Sequence, residues 1–434
     1  MNLKTVKLKL FNVSDNPSPQ KVLSAGDYIL LKHLHRNLFE LDPNGLIIPD
    51  LAHNYSCNSG FTEFSIQIKT DQCFSDGSLI TAQHFMQSIK AILKQQTAIH
   101  FDFNFIDSIL ATDDKHIQIR LKKSLPQFIQ NLAHPEFGIL KYENNYPPSL
   151  SVTSGHYSIK EINQSQALLI KNEYNKQFPF KPDQVLFSND NTQDFDIQFF
   201  DSKNEPSNHQ NLMDIGIGFT YWLTLNTDKI IFSNIENRKA ISHYFSKQLK
   251  IDNTFLVQRT HGLFSRKSFS PAELITDNHI INQSVQVLLP KNHFLNSQIV
   301  ELLKTHFQAV NDEHYESMTD FKNKKTQADI YMINNDFSDF DQSTSLNVSF
   351  NPNHFLINTN TEINQLIILM NSLETNNPKL QNVFSDIEKC ILNNYLIIPL
   401  YTRKMPILVS SHLDISDWSN KYPEISAWKI KLKK

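Results

Sequence analysis

Glycine is scarce in this chain, at 9 of 434 residues. A backbone with so few residues free to take positive φ has little scope for the glycine-rich loops that cradle phosphate. Neither G-x-G-x-x-G nor G-x-x-x-x-G-K-[ST] occurs, so a nucleotide-binding enzyme loses its usual support. Cysteine is scarcer still: Cys57, Cys73 and Cys390 make an odd set without a C-x-x-C spacing, and three thiols packed as small hydrophobes is the plain reading. A marked excess of either charge is missing too. The formal net charge is −3, which leaves no basic footprint for nucleic acid. No apolar run is long enough to span a bilayer.

Catalytic signatures are likewise missing. A hydrolase needs a nucleophile and base presented by a strained turn or beside a preorganised oxyanion site, and no G-x-S-x-G or H-E-x-x-H is found. An enzyme is therefore the lesser alternative, and a peptide or ester panel separates it from a binder, which returns its ligand unchanged. His33 and His35 lie two apart in a helical stretch, a poor spacing for a shared metal because the two rings leave on different faces. No metal and no cofactor are expected.

What is present is a globular chain, 40% hydrophobic and 20% charged, long enough for two or three domains. It is organised around the stretch from Phe39 to Ile92. Asp42-Pro43-Asn44-Gly45 has tight-turn chemistry, Ser59-Gly60 is a second turn and Ser75-Asp76-Gly77 a third. Between them Thr62, Phe64, Ile66 and Ile68 alternate with polar residues, the period of a half-buried strand. Thr81 stands as N-cap before Phe85, Ile89 and Ile92.

Further along, Val6 to Val13 reads as a strand, and Tyr28, Leu31, Leu34 and Leu38 carry helical spacing. Asp113-Asp114 turns a hairpin whose second strand alternates Ile117, Ile119 and Leu121. Ala240, Ile241, Tyr244 and Phe245 mark the buried face of a helix. A strand from Ser284 to Leu289, a helix through Ile299, Leu302, Leu303, His306 and Phe307, and a strand at Asp329 to Ile333 predict a βαβ unit. Ile387, Ile391, Leu392 and Tyr395 form another helix face before the strand Ile397 to Tyr401.

Several of these segments, in order and spacing, resemble family 5 of the bacterial solute-binding proteins, the peptide and nickel receptors of ABC importers. Leu41-Asp42-Pro43-Asn44-Gly45, Ile48-Pro49-Asp50-Leu51-Ala52, Phe64-Ser65-Ile66, Phe74-Ser75-Asp76-Gly77 and Thr81-Ala82 occupy the places of that family's "L-x-P-D-G-x-I-x-P-x-L-A" and "F-S-D-G-x-P-x-T-A-x-D". Thr153-Ser154-Gly155-His156-Tyr157 stands for "G-T-G-P-Y", Tyr221 to Thr227 for "Y-L-x-x-N-T", and Ile398-Pro399-Leu400-Tyr401 for "I-P-L-Y". The departures are Tyr55 for a tryptophan, His156 for a proline, and His84 for the acid that would close a capping box with Thr81. The last is expected to weaken the helix start by about 1 kcal/mol.

The resemblance implies an α/β, two-lobed periplasmic-binding-protein-like fold of type II, with an extra subdomain on the first lobe. Residues 1–26, 146–215 and 402–434 are expected to form lobe I, 27–145 subdomain II, and 216–401 lobe III. It places Cys57 and Cys73 on neighbouring strands. It implies an importer's substrate-binding protein that closes on an oligopeptide or dipeptide, acts as a monomer, meets the importer's membrane subunits, binds no nucleic acid, and works outside the cytoplasm.

Met1 leads directly into an alternating strand without the apolar core of an export signal. If Met1 is the native start, the chain is cytoplasmic. The alternative is then a free-standing ligand sensor related to the solute-binding domain of SgrR-type transcription regulators.

The family's "W-x-A-D-Y-x-D-P" segment, whose first acid meets a peptide's α-ammonium, is matched by Ile333-Asn334-Asn335-Asp336-Phe337-Ser338-Asp339-Phe340. Asp336, Phe337 and Asp339 are therefore the candidate ligand-binding residues. The competing reading of the same acids is an ordinary solvated turn.

Overall fold

The computed structural model describes residues 5–19, 24–42, 46–95, 105–142, 151–179, 181–190, 194–200, 210–216, 218–264, 281–335, 342–350, 360–374, 377–418 and 425–433. The chain divides into two compact units, one of Met1–Gly216 with Met405–Lys434 and one of Ile217–Lys404.

The first unit is built on a seven-stranded sheet. Its order is Gln210–Met213, Ile407–Ser410, Ile197–Phe199, Thr5–Lys9, Gln184–Ser188, Gln166–Lys171 and Tyr157–Ile162. Thr5–Lys9 runs parallel to both its neighbours, and every other pairing is antiparallel. The first strand ends at Lys9 and does not extend to Val13, because Leu10 takes only one further backbone bond, to Ser188. A separate four-stranded sheet has the order Ala52–Cys57, Glu63–Ile68, His116–Leu121, Ile106–Ala111, all antiparallel. Phe64, Ile66 and Ile68 are buried and their intervening partners are not, as the period-2 pattern requires. Beside them Phe39–Leu41 pairs antiparallel with Ile47–Pro49 across the first turn. Pro43, Asn44 and Gly45 lie outside the described residues, but the Leu46 N–H donates to Asp42 Oδ1 at 2.8 Å.

Several local expectations are corrected. Helix Ala25–Leu34 stops before Leu38, since Phe39 is already paired in a strand. Cys73 is not on a strand neighbouring that of Cys57; it makes an isolated bridge to Leu79 beyond the sheet, and all three cysteines are free. His84 does not leave the helix start open. Its Nδ1 accepts from the Thr81 N–H at 3.1 Å and lies 2.9 Å from Thr81 Oγ1, at the start of helix Ala82–Gln95. The imidazole nitrogen thus serves as the carboxylate of a capping box would.

One glycine is required by packing. A Cβ on Gly155 would lie 2.4 Å from the His33 carbonyl oxygen and from the Leu34 carbonyl carbon, so the 153–157 turn presses directly on helix Ala25–Leu34.

The second unit is a six-stranded mixed sheet, in the order Val257–Arg259, Ile397–Lys404, Gly218–Leu225, Ile330–Asn335, Ile281–Pro290, Phe307–Tyr315. The strands Ile281–Pro290, Phe307–Tyr315 and Ile330–Asn335 are parallel, linked by helices Asn296–Lys304 and Met318–Lys324, so the expected single strand–helix–strand unit is extended by one strand, Phe307–Tyr315, and one helix, Met318–Lys324. Phe307 opens a strand and so does not belong to the preceding helix face.

Helices cover both faces of this sheet. Trp222, Leu288, Tyr331 and Ile333 pack with helices Gln342–Phe350, Thr361–Asn371 and Leu380–Asn393, while Leu223, Val287, Leu289, Met332 and Leu400 pack with Ile235–Gln248 and Asn296–Lys304. Burial on both faces explains why these strands read as near-continuous apolar runs and do not alternate.

Candidate functional site

Strand register decides what surrounds the position where the chain leaves Ile330–Asn335. Asn334 stands opposite Tyr221, and Tyr221 opposite Tyr401, so the three share one sheet face. Thr220 stands opposite Asn335, and Phe219 and Gly218 beyond it stand opposite Arg403 and Lys404. The chain enters this unit after Gly216 and leaves it at Lys404, so both crossings fall at this end of the sheet.

The Tyr221 and Tyr401 rings stack with centroids 4.5 Å apart and planes 9° from parallel. His293, on the loop before helix Asn296–Lys304, joins them, its Nε2 2.6 Å from the Tyr401 hydroxyl. Its Nδ1 accepts from the Leu295 N–H at 3.2 Å, so the ring proton sits on Nε2 and is donated to Tyr401. Phe294 covers the edge of Tyr401 at 5.3 Å and is itself 60% exposed.

Burial, reinforced by the positive charge of Arg403, lowers the His293 pKa to about 4, so the imidazole is neutral near pH 7. Burial raises the pKa of both tyrosines, and the Asn334 side chain bonds Tyr221. Tyr315 closes the other flank by donating to the Met332 carbonyl at 3.0 Å.

Arg403 is half-buried, and its guanidinium makes no side-chain hydrogen bond or ion pair among the described residues. A cation held beside neutral, hydrogen-bonded tyrosines and a neutral histidine is equipped to receive an anionic or polar group.

Asp336, Phe337 and Asp339 lie outside the described residues. They follow directly on Asn335, whose side-chain amide donates to the Ser345 carbonyl at 3.1 Å and to Ser349 Oγ at 2.8 Å. Sequence reasoning missed Arg403, His293 and the Tyr221–Tyr401 stack. These residues come from three separate segments with no common spacing; the "Y-L-x-x-N-T" and "I-P-L-Y" matches touched Tyr221 and Tyr401 without bringing them together. Among the described residues no group of three His, Cys, Asp or Glu could hold a metal ion. Nor is any helix among them long and apolar enough to cross a membrane.

The family model for bacterial extracellular solute-binding proteins, family 5, middle region, matches residues 47–279. The chain belongs to that family. Over 106 residues it is 27% identical to the glutathione-binding protein GsiB of Pectobacterium atrosepticum, covering 24% of this chain and 21% of that protein. The chain thus matches about a fifth of the length of that curated relative.

Among solved structures, the periplasmic binding protein DppA of Helicobacter pylori in complex with the peptide STSA superposes with a TM-score of 0.80 at 14% identity, covering 100% of this chain and 99% of that one. NikA of Staphylococcus aureus in complex with Ni(L-His)2 gives 0.78 at 14% identity, with 99% and 100% covered. OppA of Haemophilus influenzae in complex with RPPGFSPFR gives 0.76 at 15%, with 100% and 99% covered. The fold is therefore the mixed α/β, two-lobed binding-protein fold of these neighbours.

Proposed function

We propose that this protein is the substrate-binding component of an ABC-type importer and captures a short peptide between its two units. Family membership supports the binding role, and two fold neighbours are described in complex with peptides. The observation that carries the reading is the sheet end of the second unit, where Tyr221, Tyr401, neutral His293 and Arg403 flank the exit toward Asp336. In this reading residues 1–26, 146–215 and 402–434 form lobe I, 27–145 a subdomain on it, and 216–401 the opposing lobe.

Capture works by closure, which the ligand drives only to the extent that it binds the closed state better than the open one. Asp336 receives the peptide's α-ammonium, with Phe337 and Asp339 beside it. A desolvated carboxylate facing an ammonium is worth about 1.5–3 kcal/mol. Asp336→Asn should then weaken an amine-bearing peptide about tenfold or more in calorimetry, and leave an N-acetylated peptide unchanged. Equal affinity of parent and variant for the free-amine peptide removes Asp336 from the site. Small-angle scattering should report a more compact particle with peptide, and an unchanged radius of gyration at saturation counts against closure.

A further inference from the structure

Residues 425–430 of the first unit lie as a strap over His33 and His156. Beyond the strap, strand Lys431–Leu432 pairs antiparallel with Leu413–Asp414. Near its start the Trp418 Nε1–H donates to the Ser426 carbonyl at 2.9 Å. Between these ties Ala427, Trp428 and Ile430 are buried. The Trp428 indole stacks on the His156 ring and meets the His33 ring edge-to-face, with centroids 4.5 and 4.8 Å away. The Ala427 N–H donates to His33 Nε2 at 3.1 Å.

Apolar burial holds this strap down, and its polar groups oppose that. The Trp428 indole N–H, the Ser426 hydroxyl and His156 Nδ1 are all buried without a hydrogen-bond partner among the described residues. A buried polar atom left so destabilises the state that buries it, and each of these would bond water once the strap lifts. Three such atoms in one contact place the docked strap at the low-stability end of the structure, where local opening precedes global unfolding.

His156 makes that balance depend on pH. Its ring lies between Trp428 and Phe178, whose ring meets it edge-on at 5.3 Å. Burial first, and then the positive charges of Arg36, Lys181, His33 and Lys429, hold its pKa well below the usual 6.5. These charges come from the end of helix Ala25–Leu34, from the loop before strand Gln184–Ser188 and from the strap itself, and every one of them opposes a proton. Arg36 is itself paired with Asp50 at 2.5 Å. The docked strap therefore requires a neutral ring, whereas a lifted strap leaves the ring in water, free to take a proton near pH 6.5. Docking is thus fully stable above that pH and weakens as the pH falls through it.

We propose that residues 425–430 are an acid-released strap, docked while His156 is neutral and lifted, ahead of global unfolding, when the ring takes a proton. Lifting uncovers the His33 and His156 rings and frees the Ala427 N–H.

Amide hydrogen exchange of the full chain, read by mass spectrometry from pH 7.5 to 5 and corrected for the intrinsic pH dependence of exchange, tests this. Protection of residues 425–430 should fall at least about tenfold per pH unit below about pH 6, while strands Gln166–Lys171 and Gln184–Ser188 keep theirs. His156→Phe offers Trp428 a ring that takes no proton, so the fall should be reduced. His156→Gln should reduce it too, from a lower starting protection. Constant protection in the parent would overturn the proposal whether or not either variant folds. Simultaneous loss in the strap and the two strands would show global acid unfolding and no separate strap. An undiminished fall in both variants would remove His156 as the switch.

Discussion

The His156 imidazole stacks on the Trp428 indole with centroids 4.5 Å apart and planes 21° from parallel, joining the 153–157 turn to the C-terminal segment. His33 also meets this segment, its ring edge-to-face with that of Trp428 at 4.8 Å. Its Nε2 accepts the Ala427 N–H at 3.1 Å, so its proton is on Nδ1, 2.7 Å from the Ile29 carbonyl. His35, at the end of that helix, is buried as well.

These buried rings make the first unit acid-sensitive. Burial is the main cause that brings the His35 pKa down to about 4 and holds His156 well below its usual value. The unfolded chain, with His near 6.5, therefore binds more protons than the folded one, and stability falls as pH drops below about 6.5. For His35 alone the loss is complete near pH 4 and amounts to about 3 kcal/mol. Urea midpoints measured from pH 7.5 to 4 should show this slope, and His35→Gln should flatten part of it. A slope unchanged in that variant would remove His35 as a contributor.

Helix Ala82–Gln95 should depend on its histidine cap. Replacing His84 with Ala removes the acceptor for the Thr81 N–H and should cost about 1 kcal/mol. His84→Asp, which restores an acceptor, should stay within about 0.5 kcal/mol of the parent. Chemical denaturation distinguishes the two, and equal losses would show that the ring acts only by packing on Phe74, 4.9 Å away.

Gly155→Ala should be among the most damaging small substitutions in the chain. Its Cβ would collide with backbone on both His33 and Leu34 at 2.4 Å, and backbone cannot rotate aside as a side chain can. The expected loss is ~3 kcal/mol, read as a lower thermal midpoint. A variant as stable as the parent would mean that the turn and the helix separate easily.

Arg403 should be detectable through His293. Removing its charge in Arg403→Met should raise the His293 pKa above about 4, yet leave it below 6.5 because burial is the larger cause. An NMR titration of the imidazole measures this directly. An unshifted pKa would place the guanidinium too far away to act on the tyrosine cluster.

Local chemistry made much of the architecture readable from residues alone. A turn such as that after Asp42, the alternation through Phe64, Ile66 and Ile68, and the strands at Ser284 and Ile330, though not the strand Phe307–Tyr315 between them, are written in steric preference and in the period with which apolar side chains face a core. Polar partnerships were not readable in that way, because a polar group's partner is set by strand order and helix packing, not by sequence distance. The ring nitrogen of His84 substituting for a carboxylate, the buried imidazole set of the first unit, and Tyr395 in a glycine's conformation are visible only once the chain is folded. Tyr221, His293, Tyr401 and Arg403 likewise meet because Gly218–Leu225 lies between Ile397–Lys404 and Ile330–Asn335 in the sheet, and that adjacency is a tertiary decision.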